Sequence, residues 1–260
     1  MFEFHSDKKQ YFDIQFANTE KQVIPFIEKL VTIKPGMRVL EIGCGEGVVL
    51  KAFINKGCVG VGVEMDAARI ENARIFLEEE LSNRRIEFIV KDIYNVSVEE
   101  LKGLFDIIVL KDVIEHIHDQ EKLIGWMRNY LKINGVIFFG FPPWQMPFGG
   151  HQQMCTSWVK NIPWVHLLPT FVYGWLLRKT KDGFAALLEI KETGISIEKF
   201  EKICIRQDYL ILSKLHFLIN PIYEYKFGWK GRQQVKWISA IPWARNFFTT
   251  CVYYLIKAKN

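Results

Sequence analysis

An apolar run that breaks into three closely spaced glycines stands at residues 39–47, which read VLEIGCGEG. Such a run predicts a buried strand that ends in a tight loop and leads into a helix. Glycine in this kind of loop lets the main chain approach a ligand where any side chain would collide with it. Phosphate is the usual ligand of such loops, but a phosphate site should be neutral or positive, and this one contains Glu41 and Glu46.

Alternating strand and helix patterns surround this loop. Five short, β-branched apolar runs are typical of buried parallel strands. They are Arg38–Ile42, Val59–Val63, Ile86–Val90, Phe105–Leu110 and Val136–Phe141. Between the second and third runs, apolar residues recur at the spacing of one helix face, from Ile70 to Leu81. Strands joined through helices predict right-handed crossovers and a doubly wound, mostly parallel α/β sheet, with its ligand site at the carboxyl ends of the strands.

Two further acids close the next two strands. Glu64 stands 21 residues after Gly43, about where dinucleotide-binding folds place an acid that binds ribose. A dinucleotide is nevertheless disfavoured, because the glycines are spaced G-x-G-x-G and because Glu41 and Glu46 would lie near its pyrophosphate. Asp92 adds a carboxylate after the third strand. A cationic, donor-rich ligand without phosphate fits these acids better, and S-adenosylmethionine is such a ligand.

In these motifs the chain resembles the class I S-adenosylmethionine-dependent methyltransferases, most closely the small-molecule branch that includes the ubiquinone-biosynthesis type O-methyltransferases. The resemblance covers residues 8–140 and implies an enzyme that uses S-adenosylmethionine. It implies that the glycine loop binds the methionine part of the cofactor, Glu64 the ribose hydroxyls and Asp92 the adenine amino group. The cofactor-binding residues that it implies are Glu41, Gly43, Cys44, Gly45, Gly47, Glu64, Met65, Asp92, Ile93, Leu110 and Lys111.

Within that set, the resemblance implies that Met65 and Ile93 contact the adenine ring and that Leu110 and Lys111 line the sulfonium side. Lys111 occupies a place that family members usually fill with a neutral residue, so its role is open. The segment that follows, DVIEH at residues 112–116, resembles an acid-x-x-acid-His arrangement that holds a divalent metal in some related O-methyltransferases. Whether Asp112, Glu115 and His116 converge on a metal is left open, because ligands that are neighbours in sequence need not converge in space.

The predicted reaction is transfer of a methyl group to a small or lipid-like acceptor, most simply at oxygen. A hydroxyl acceptor must lose a proton, and histidine is the side chain best matched to that task near neutral pH. His116 and His151 are therefore the candidate catalytic residues. Gln152 and Gln153 could hold a polar acceptor beside His151. The alternatives are that His116 only caps a helix and that His151 lies in a plain solvated turn.

A single domain of four parts is expected. Residues 1–37 form an N-terminal helical cover, residues 38–141 the cofactor-binding core, residues 142–195 an insertion that acts as a lid after the fifth strand, and residues 196–260 the last part of the sheet. The C-terminal segment TCVYYLIKAK reads as an antiparallel last strand at the sheet edge, beside YLILSKLHFLI, which makes seven strands.

The composition indicates the cellular compartment in which the protein acts. The 260 residues are 49% hydrophobic, and the five cysteines are never spaced as C-x-x-C, which disfavours a disulfide framework and a zinc site. The N-terminus lacks the apolar region of a signal peptide, and prolines interrupt the longest uncharged stretches. We therefore expect a cytoplasmic protein without a membrane-spanning helix.

Charge divides the chain unevenly. Residues 1–140 contain 18 Lys and Arg against 22 Asp and Glu, a net charge of −4, whereas residues 141–260 contain 16 against 7, a net charge of +9. Seven of the eight tryptophans follow Phe141. Basic residues beside aromatic ones predict a lipophilic or lipid-linked anionic acceptor and peripheral contact with a membrane surface. The alternative is that the aromatic residues pack the core of the lid and the charges are merely solvated.

Two other functions compete with this one. A nucleic-acid methyltransferase would use a basic patch that is mainly polar with a few stacking aromatics, whereas the basic residues of this chain lie among Leu, Ile, Phe and Trp. No nucleic-acid partner is therefore expected. A non-catalytic module that keeps the cofactor fold is the remaining alternative, and methyl-transfer measurements separate it from an enzyme.

Overall fold

The structure is a computed structural model that describes residues 8–152, 155, 157–180 and 184–259. Gln153, predicted to lie beside the acceptor, falls outside these residues, as do the first seven residues of the predicted N-terminal cover. The described strands are β1 Arg38–Ile42, β2 Val59–Glu64, β3 Ile86–Val90, β4 Phe105–Lys111, β5 Leu131–Phe141, β6 Tyr209–Ile219, β7 Arg232–Gln233 and β8 Cys251–Ala258.

These strands form one sheet in the order β3-β2-β1-β4-β5-β8-β6-β7. Strands β1 to β5 pair in parallel, and β8 is antiparallel to both of its neighbours. The five predicted strands are confirmed, although β5 begins at Leu131 rather than Val136. The winding reverses direction between β1 and β4, which places the loop after β1 at the switch point where such sheets bind ligands.

The sequence predicted the last strand at the edge of the sheet, and this prediction is wrong. β8 lies between β5 and β6, where Phe138 pairs with Leu255 and Leu215 pairs with Tyr253. Its residues are buried over most of its length because a central strand is covered on both faces. The edge is formed by β6 and the two-residue β7, which adds an eighth strand to the predicted seven.

Helices cover both faces of the sheet. They are α1 Lys8–Asn18, α2 Ile24–Glu28, α3 Val48–Asn55, α4 Ala67–Phe76, α5 Glu78–Ser82, α6 Gln120–Trp126, α7 Thr170–Thr180, α8 Phe184–Thr193, α9 Ile197–Arg206, α10 Tyr223–Phe227, α11 Lys236–Ser239 and α12 Ala244–Phe247. A π-helical turn at Thr19–Val23 joins α1 to α2. On one face, α1 to α4 pack on residues such as Val39 and Phe138, and on the other, α6 and α9 pack on residues such as Leu40 and Phe139.

Residues 142–195 leave the sheet at the carboxyl end of β5 and contain α7 and α8. They have a small core of their own, formed by Cys155, Val159, Val165, Tyr173, Leu177 and Leu187. None of the tryptophans belongs to this core among the described residues. No helix in the described ranges is long and apolar enough to cross a membrane.

A second segment, residues 220–250 between β6 and β8, meets the sheet at the same edge. Phe141 at the end of β5 pairs with Val252 at the start of β8, so β8 begins where β5 ends. Both segments therefore stand at the carboxyl edge of the parallel strands. This is the edge at which the predicted ligand site lies.

Candidate functional site

The glycine loop after β1 has the left-handed backbone that its sequence predicts. Gly43 has a φ of +68° and Gly45 a φ of +52°, a region that side chains disfavour. A Cβ on Gly45 would lie 2.2 Å from Nη2 of Arg69, and one on Gly43 would lie 2.6 Å from Cγ2 of Val113. A side chain at Gly43 would therefore collide with Val113, whereas one at Gly45 would have to displace the guanidinium of Arg69. Gly47, also left-handed, leads directly into α3.

Glu64, the last residue of β2, braces this loop. Its carboxylate accepts hydrogen bonds from the main-chain N–H groups of Gly45 at 2.9 Å, Met65 at 2.9 Å and Asp66 at 3.0 Å. Asp66 in turn caps α4 by accepting from the N–H of Ala68. The acid predicted at this strand end is therefore held against the glycine loop.

Arg69 lies across the loop, and the sequence analysis did not identify it. Its Nη2 is 2.9 Å from Oε2 of Glu46, and its Nη1 is 3.8 Å from Oε2 of Glu64. The guanidinium therefore neutralises part of the negative charge that argued against a phosphate ligand. The sequence offers one indication that Arg69 reaches the glycine loop. Arg69 lies in the first turn of α4, and that turn follows closely after Glu64.

Glu41 lies beneath the loop with an oxygen that has no partner. Its side chain is 3% exposed, and its Oε2 is buried and makes no hydrogen bond. Burial raises the pKa of Glu41 to about 8, against the opposing effects of the Leu50 main chain and the Lys111 and Arg69 charges. A buried carboxyl oxygen of this kind is costly unless a donor or cation meets it. The loop and Glu41 together fit a ligand that brings an ammonium group.

Cys44, within the loop, is buried beside this carboxyl. Burial and the nearby Glu41 and Glu64 raise the pKa of the Cys44 thiol well above its usual value. The thiol is therefore protonated at neutral pH and does not act as a nucleophile. Cys44 can therefore contribute to cofactor binding only through its main chain. Its side chain packs on Gly62, because a Cβ on Gly62 would lie 2.6 Å from the Cys44 sulfur.

The residues implied to contact adenine differ in exposure. The Met65 side chain is 73% exposed beside Glu64, whereas Ile93 is buried in the core under the sheet edge. Asp92 is exposed and caps the short 3-10 helix Ile93–Asn95 by accepting from the N–H of Tyr94 at 2.9 Å. Met65 and Asp92 are thus open to a ligand, and the Ile93 side chain is mostly covered by protein.

Leu110 and Lys111, implied to line the sulfonium side, are the last two residues of β4. Leu110 is fully buried in the core, so only its main chain is left to face a ligand. The Nζ of Lys111 donates to Oε1 of Gln15 on α1 at 2.9 Å and to Oδ2 of the adjacent Asp112 at 2.7 Å. Burial lowers the pKa of Lys111, but Asp112, Tyr253 and Tyr11 together outweigh burial and raise that pKa above its ordinary value. The lysine is a charged link between β4 and the N-terminal helix.

The sequence analysis did not identify two polar residues of the N-terminal helix, Tyr11 and Gln15, that lie near Lys111. Gln15 Nε2 donates to the Tyr11 hydroxyl at 2.8 Å, and its Oε1 accepts from Lys111. The Lys226 ammonium of α10 lies 5.2 Å from the centroid of the Tyr11 ring. Helix α1 is thereby joined to both β4 and the segment after β6.

Beyond β4, three side chains that could share a ligand converge. One ligand atom from each of Glu115, His116 and His151 lies within 4.8 Å of the other two. The imidazole centroids of the two histidines are 5.1 Å apart. Both Glu115 oxygens and His151 Nδ1 are buried without a hydrogen-bond partner. The two candidate catalytic histidines are therefore neighbours, although 35 positions separate them in the chain.

Asp112 does not join Glu115 and His116 in this cluster, although the sequence motif groups the three residues. Asp112 has an uncommon left-handed φ of +57° and forms its ion pair with Lys111. His151, from the segment after β5, stands beside Glu115 and His116 instead. A sequence motif cannot reveal this exchange, because His151 reaches the site only when the chain folds back over the sheet edge.

Desolvation keeps both imidazoles neutral near pH 7. It lowers the pKa of His116, although Asp112 opposes the change. Burial, together with His116, lowers the pKa of His151 to about 4. Gln152, predicted to hold a polar acceptor, is fully buried and its Nε2 donates to the carbonyls of Pro147 and Ile162. Its amide nitrogen therefore stabilises the loop rather than facing an acceptor.

Comparison with known proteins identifies the family to which the chain belongs. The model of a family described as a methyltransferase domain matches residues 16–166, more than half of the chain. The ubiquinone biosynthesis O-methyltransferase of Histophilus somni (strain 2336) is 32% identical over 110 residues, which cover 39% of this chain and 43% of that protein. The protein of that name from Coxiella burnetii (strain Dugway 5J108-111) is 30% identical over 116 residues, 45% of this chain and 47% of that protein. The chain thus matches less than half the length of these relatives.

Solved structures share the fold at low sequence identity. A S-adenosylmethionine-dependent methyltransferase from Clostridium acetobutylicum ATCC 824 superposes with a TM-score of 0.55 at 14% identity, covering 97% of this chain and 92% of that one. The plantazolicin methyltransferase BpumL in complex with SAH gives 0.58 at 13% identity, covering 98% and 88%. Magnesium protoporphyrin IX methyltransferase (ChlM) from Synechocystis PCC 6803 with bound SAM gives 0.55 at 12% identity, covering 100% and 86%.

Proposed function

The chain belongs to the methyltransferase domain family, and we propose that it transfers the methyl group of S-adenosylmethionine to an oxygen of a small or lipid-like acceptor. The observation that carries this proposal is the buried, unpartnered oxygen of Glu41 beneath a left-handed glycine loop. Such a site suits a ligand with an ammonium group and no phosphate. The fold and family support the same cofactor.

We assign the cofactor's parts to residues at this edge of the sheet, of which Met65 and Asp92 are exposed and Glu41 and Glu64 are buried. The ammonium group meets Glu41 and the glycine loop, and the ribose hydroxyls meet Glu64. Met65 packs on the adenine ring because its apolar side chain is otherwise left in water. The exposed Asp92 accepts from the adenine amino group, in keeping with its place after the neighbouring strand β3.

For this reaction the protein mainly has to position the acceptor oxygen and the methyl group of the cofactor. The acceptor oxygen attacks the methyl carbon in line with the carbon–sulfur bond, so alignment and exclusion of water supply much of the acceleration. We propose that the acceptor oxygen lies beside His116 and His151, at the same sheet edge as the glycine loop. Oxygen is favoured over carbon because this polar cluster suits a hydroxyl, and the relatives' printed names say O-methyltransferase.

The test is methyl transfer from labelled S-adenosylmethionine to fractionated metabolite and lipid extracts. We expect transfer to a fraction that contains a phenolic or similar hydroxyl compound, with one S-adenosylhomocysteine formed for each methyl group transferred. Calorimetry with S-adenosylhomocysteine alone is the companion measurement. Cofactor binding without transfer to any fraction would favour a non-catalytic module, and transfer to nitrogen or carbon would contradict the oxygen assignment.

The acceptor's lipid-like character is supported by the surface at the carboxyl edge. Residues 142–195 and 220–250 both stand there, and both present large aromatic side chains to solvent. Those more than half exposed are Trp158, Phe171, Trp175, Trp229, Trp237, Trp243 and Phe248. The small core of the first segment contains no tryptophan among the described residues, which counts against the alternative that these rings pack the lid. The +9 charge of residues 141–260 suits an anionic bilayer surface.

We accordingly propose that the protein acts in the cytoplasm, with this edge in peripheral contact with the membrane. It should sediment with vesicles that contain phosphatidylglycerol at low salt, and less at physiological salt, because screening weakens basic-patch binding. A Phe171→Ser and Trp175→Ser double variant should bind less. Ile133→Ser is the matched control, because Ile133 is 80% exposed near the opposite end of β5. Equal binding by both variants, or no binding at either salt, would contradict membrane contact and leave methyl transfer untouched.

A further inference from the structure

A group of polar side chains lies between α1, the end of β4 and α10. The Nζ of Lys111 donates to Oε1 of Gln15 and to Oδ2 of Asp112. The Lys226 ammonium lies 5.2 Å from the centroid of the Tyr11 ring. These five residues form the lysine cluster. We propose that the lysine cluster binds an anionic group of the methyl acceptor, a carboxylate or a phosphate, and that Lys226 selects it. The inference rests on the proposed function, because it concerns the acceptor of that reaction.

Positive charge exceeds negative charge in the lysine cluster. Lys111 and Lys226 each bring an ammonium group and Asp112 brings one carboxylate, so the cluster carries a net charge of +1. The Lys111 side chain is 7% exposed. Burial lowers the pKa of Lys226 to about 8, with Asp112 opposing this effect and Lys111 adding to it. A charge held away from water is costly unless an opposite charge meets it, and an anionic ligand would supply that charge.

Asn18 and Tyr253 are independent evidence of a polar ligand. Asn18 lies about one turn after Gln15 on α1, and its side chain is fully buried. Neither atom of the Asn18 amide makes a hydrogen bond among the described residues, and the same is true of the Tyr253 hydroxyl. Tyr253 lies close enough to Lys111 for each to affect the pKa of the other. Buried polar groups normally have partners, so these two donors fit the oxygen atoms of a bound ligand.

The lysine cluster borders the two histidines beside which we place the acceptor oxygen. Asp112 connects the two groups, because its charge acts on Lys111 and Lys226 and also opposes the lowering of the pKa of His116 and of His151. An acceptor that reaches from one group to the other places its hydroxyl at the histidines and its anionic group at the lysine cluster. Two fixed points align the attacking oxygen better than one, so a neutral compound of the same shape should be a poorer acceptor.

Lys226 is better placed than Lys111 to meet this ligand. Lys111 already donates to Gln15 and Asp112 and is almost fully buried, whereas the Lys226 side chain is only partly buried. Lys226 also belongs to residues 220–250, the segment that stands at the carboxyl edge of the sheet. An ammonium group beside a carboxylate or phosphate makes a charge-assisted hydrogen bond, which is stronger than a bond between neutral groups.

Calorimetry with three small probes tests the site without needing the acceptor. Benzoate, phenyl phosphate and the neutral benzamide are titrated into protein saturated with S-adenosylhomocysteine. We expect at least one of the two anions to bind about 10-fold or more tightly than benzamide, because a hydrogen bond to a charged group is worth about 1.5 to 3 kcal/mol. The anion that binds more tightly identifies the acceptor's group as a carboxylate or a phosphate.

Variants of Lys226 assign this preference to one residue. Lys226→Met keeps an apolar side chain of similar length without the charge, so it should abolish the preference for the anion, and Lys226→Arg should retain it. Lys230→Met is the matched control, because it removes an exposed lysine from the same segment and should bind all three probes as the unchanged protein does. No binding of either anion at millimolar concentration, equal binding of all three probes, or a full preference in Lys226→Met would each overturn the inference.

The labelled product of the methyl-transfer assay is the second measurement. We expect an anion exchanger to retain it at neutral pH, because methylation of a separate hydroxyl leaves the anionic group ionised. A neutral product would overturn the inference and leave the proposed function standing. Weaker binding of S-adenosylhomocysteine by Lys226→Met, with unchanged binding of the anions, would assign the lysine to the cofactor and would also overturn it. Anion binding without transfer to any fraction would contradict the proposed function and leave the anion site standing.

Discussion

Replacing His151 with alanine lowers the turnover number by about 100-fold or more, the usual range for loss of a group that acts on the acceptor's proton. The imidazole stands beside His116 at the sheet edge where we propose that the acceptor lies, and its Nδ1 has no hydrogen-bond partner among the described residues. Cofactor affinity should stay within about twofold, since His151 lies outside the glycine loop. Steady-state kinetics with saturating cofactor, together with calorimetry of S-adenosylhomocysteine binding, measure the two effects separately.

The control is His118→Ala, which removes an imidazole two positions from His116 that is mostly exposed and whose Nε2 lies 3.3 Å from Oε1 of Glu189. It should retain nearly full turnover. Should His151→Ala keep the full rate as well, the acceptor either arrives already ionised or is methylated at nitrogen or carbon. If instead both variants lost activity equally, the loss would reflect contact with the lid rather than chemistry at the His151 ring.

The second large effect is expected at Glu64. Glu64→Ala should weaken cofactor binding by about 1 to 3 kcal/mol, or roughly 5- to 150-fold, because charge-assisted hydrogen bonds to the ribose hydroxyls are lost. Part of this loss would come from the glycine loop itself, since Glu64 accepts hydrogen bonds from Gly45, Met65 and Asp66. Calorimetry with S-adenosylhomocysteine gives the affinity.

Two comparisons separate these contributions. Glu64→Gln keeps an oxygen that can accept from the loop but removes the charge, so it should fall between the alanine variant and the unchanged protein. Asp92→Ala should weaken binding less than Glu64→Ala, because it removes one contact to the adenine amino group. A reversed order of Asp92 and Glu64 would mean that the adenine and ribose ends are wrongly assigned, and an unaltered affinity in Glu64→Ala would exclude Glu64 from the site.

Local sequence was sufficient for the features that depend on neighbours in the chain. β1 and β3 have the bounds that their apolar runs predict, and the loop at Gly43 to Gly47 has the left-handed backbone that only glycine adopts readily. The acids Glu64 and Asp92 stand at strand ends for the same reason, since an alternating strand and helix pattern fixes which residues reach the carboxyl edge. These outcomes follow from short-range sterics and from the periodicity of burial.

Tertiary contacts decided the rest. Glu115 meets His151 rather than Asp112, Lys111 turns to Gln15 on the first helix, and β8 lies inside the sheet instead of at its edge. Each of these joins residues far apart in the chain, and such pairings depend on which surfaces are buried together and on where loops close. Local patterns report which residues are apolar or charged, but the partner of a buried charge is chosen only when the chain folds, because leaving that charge unpaired away from water is costly.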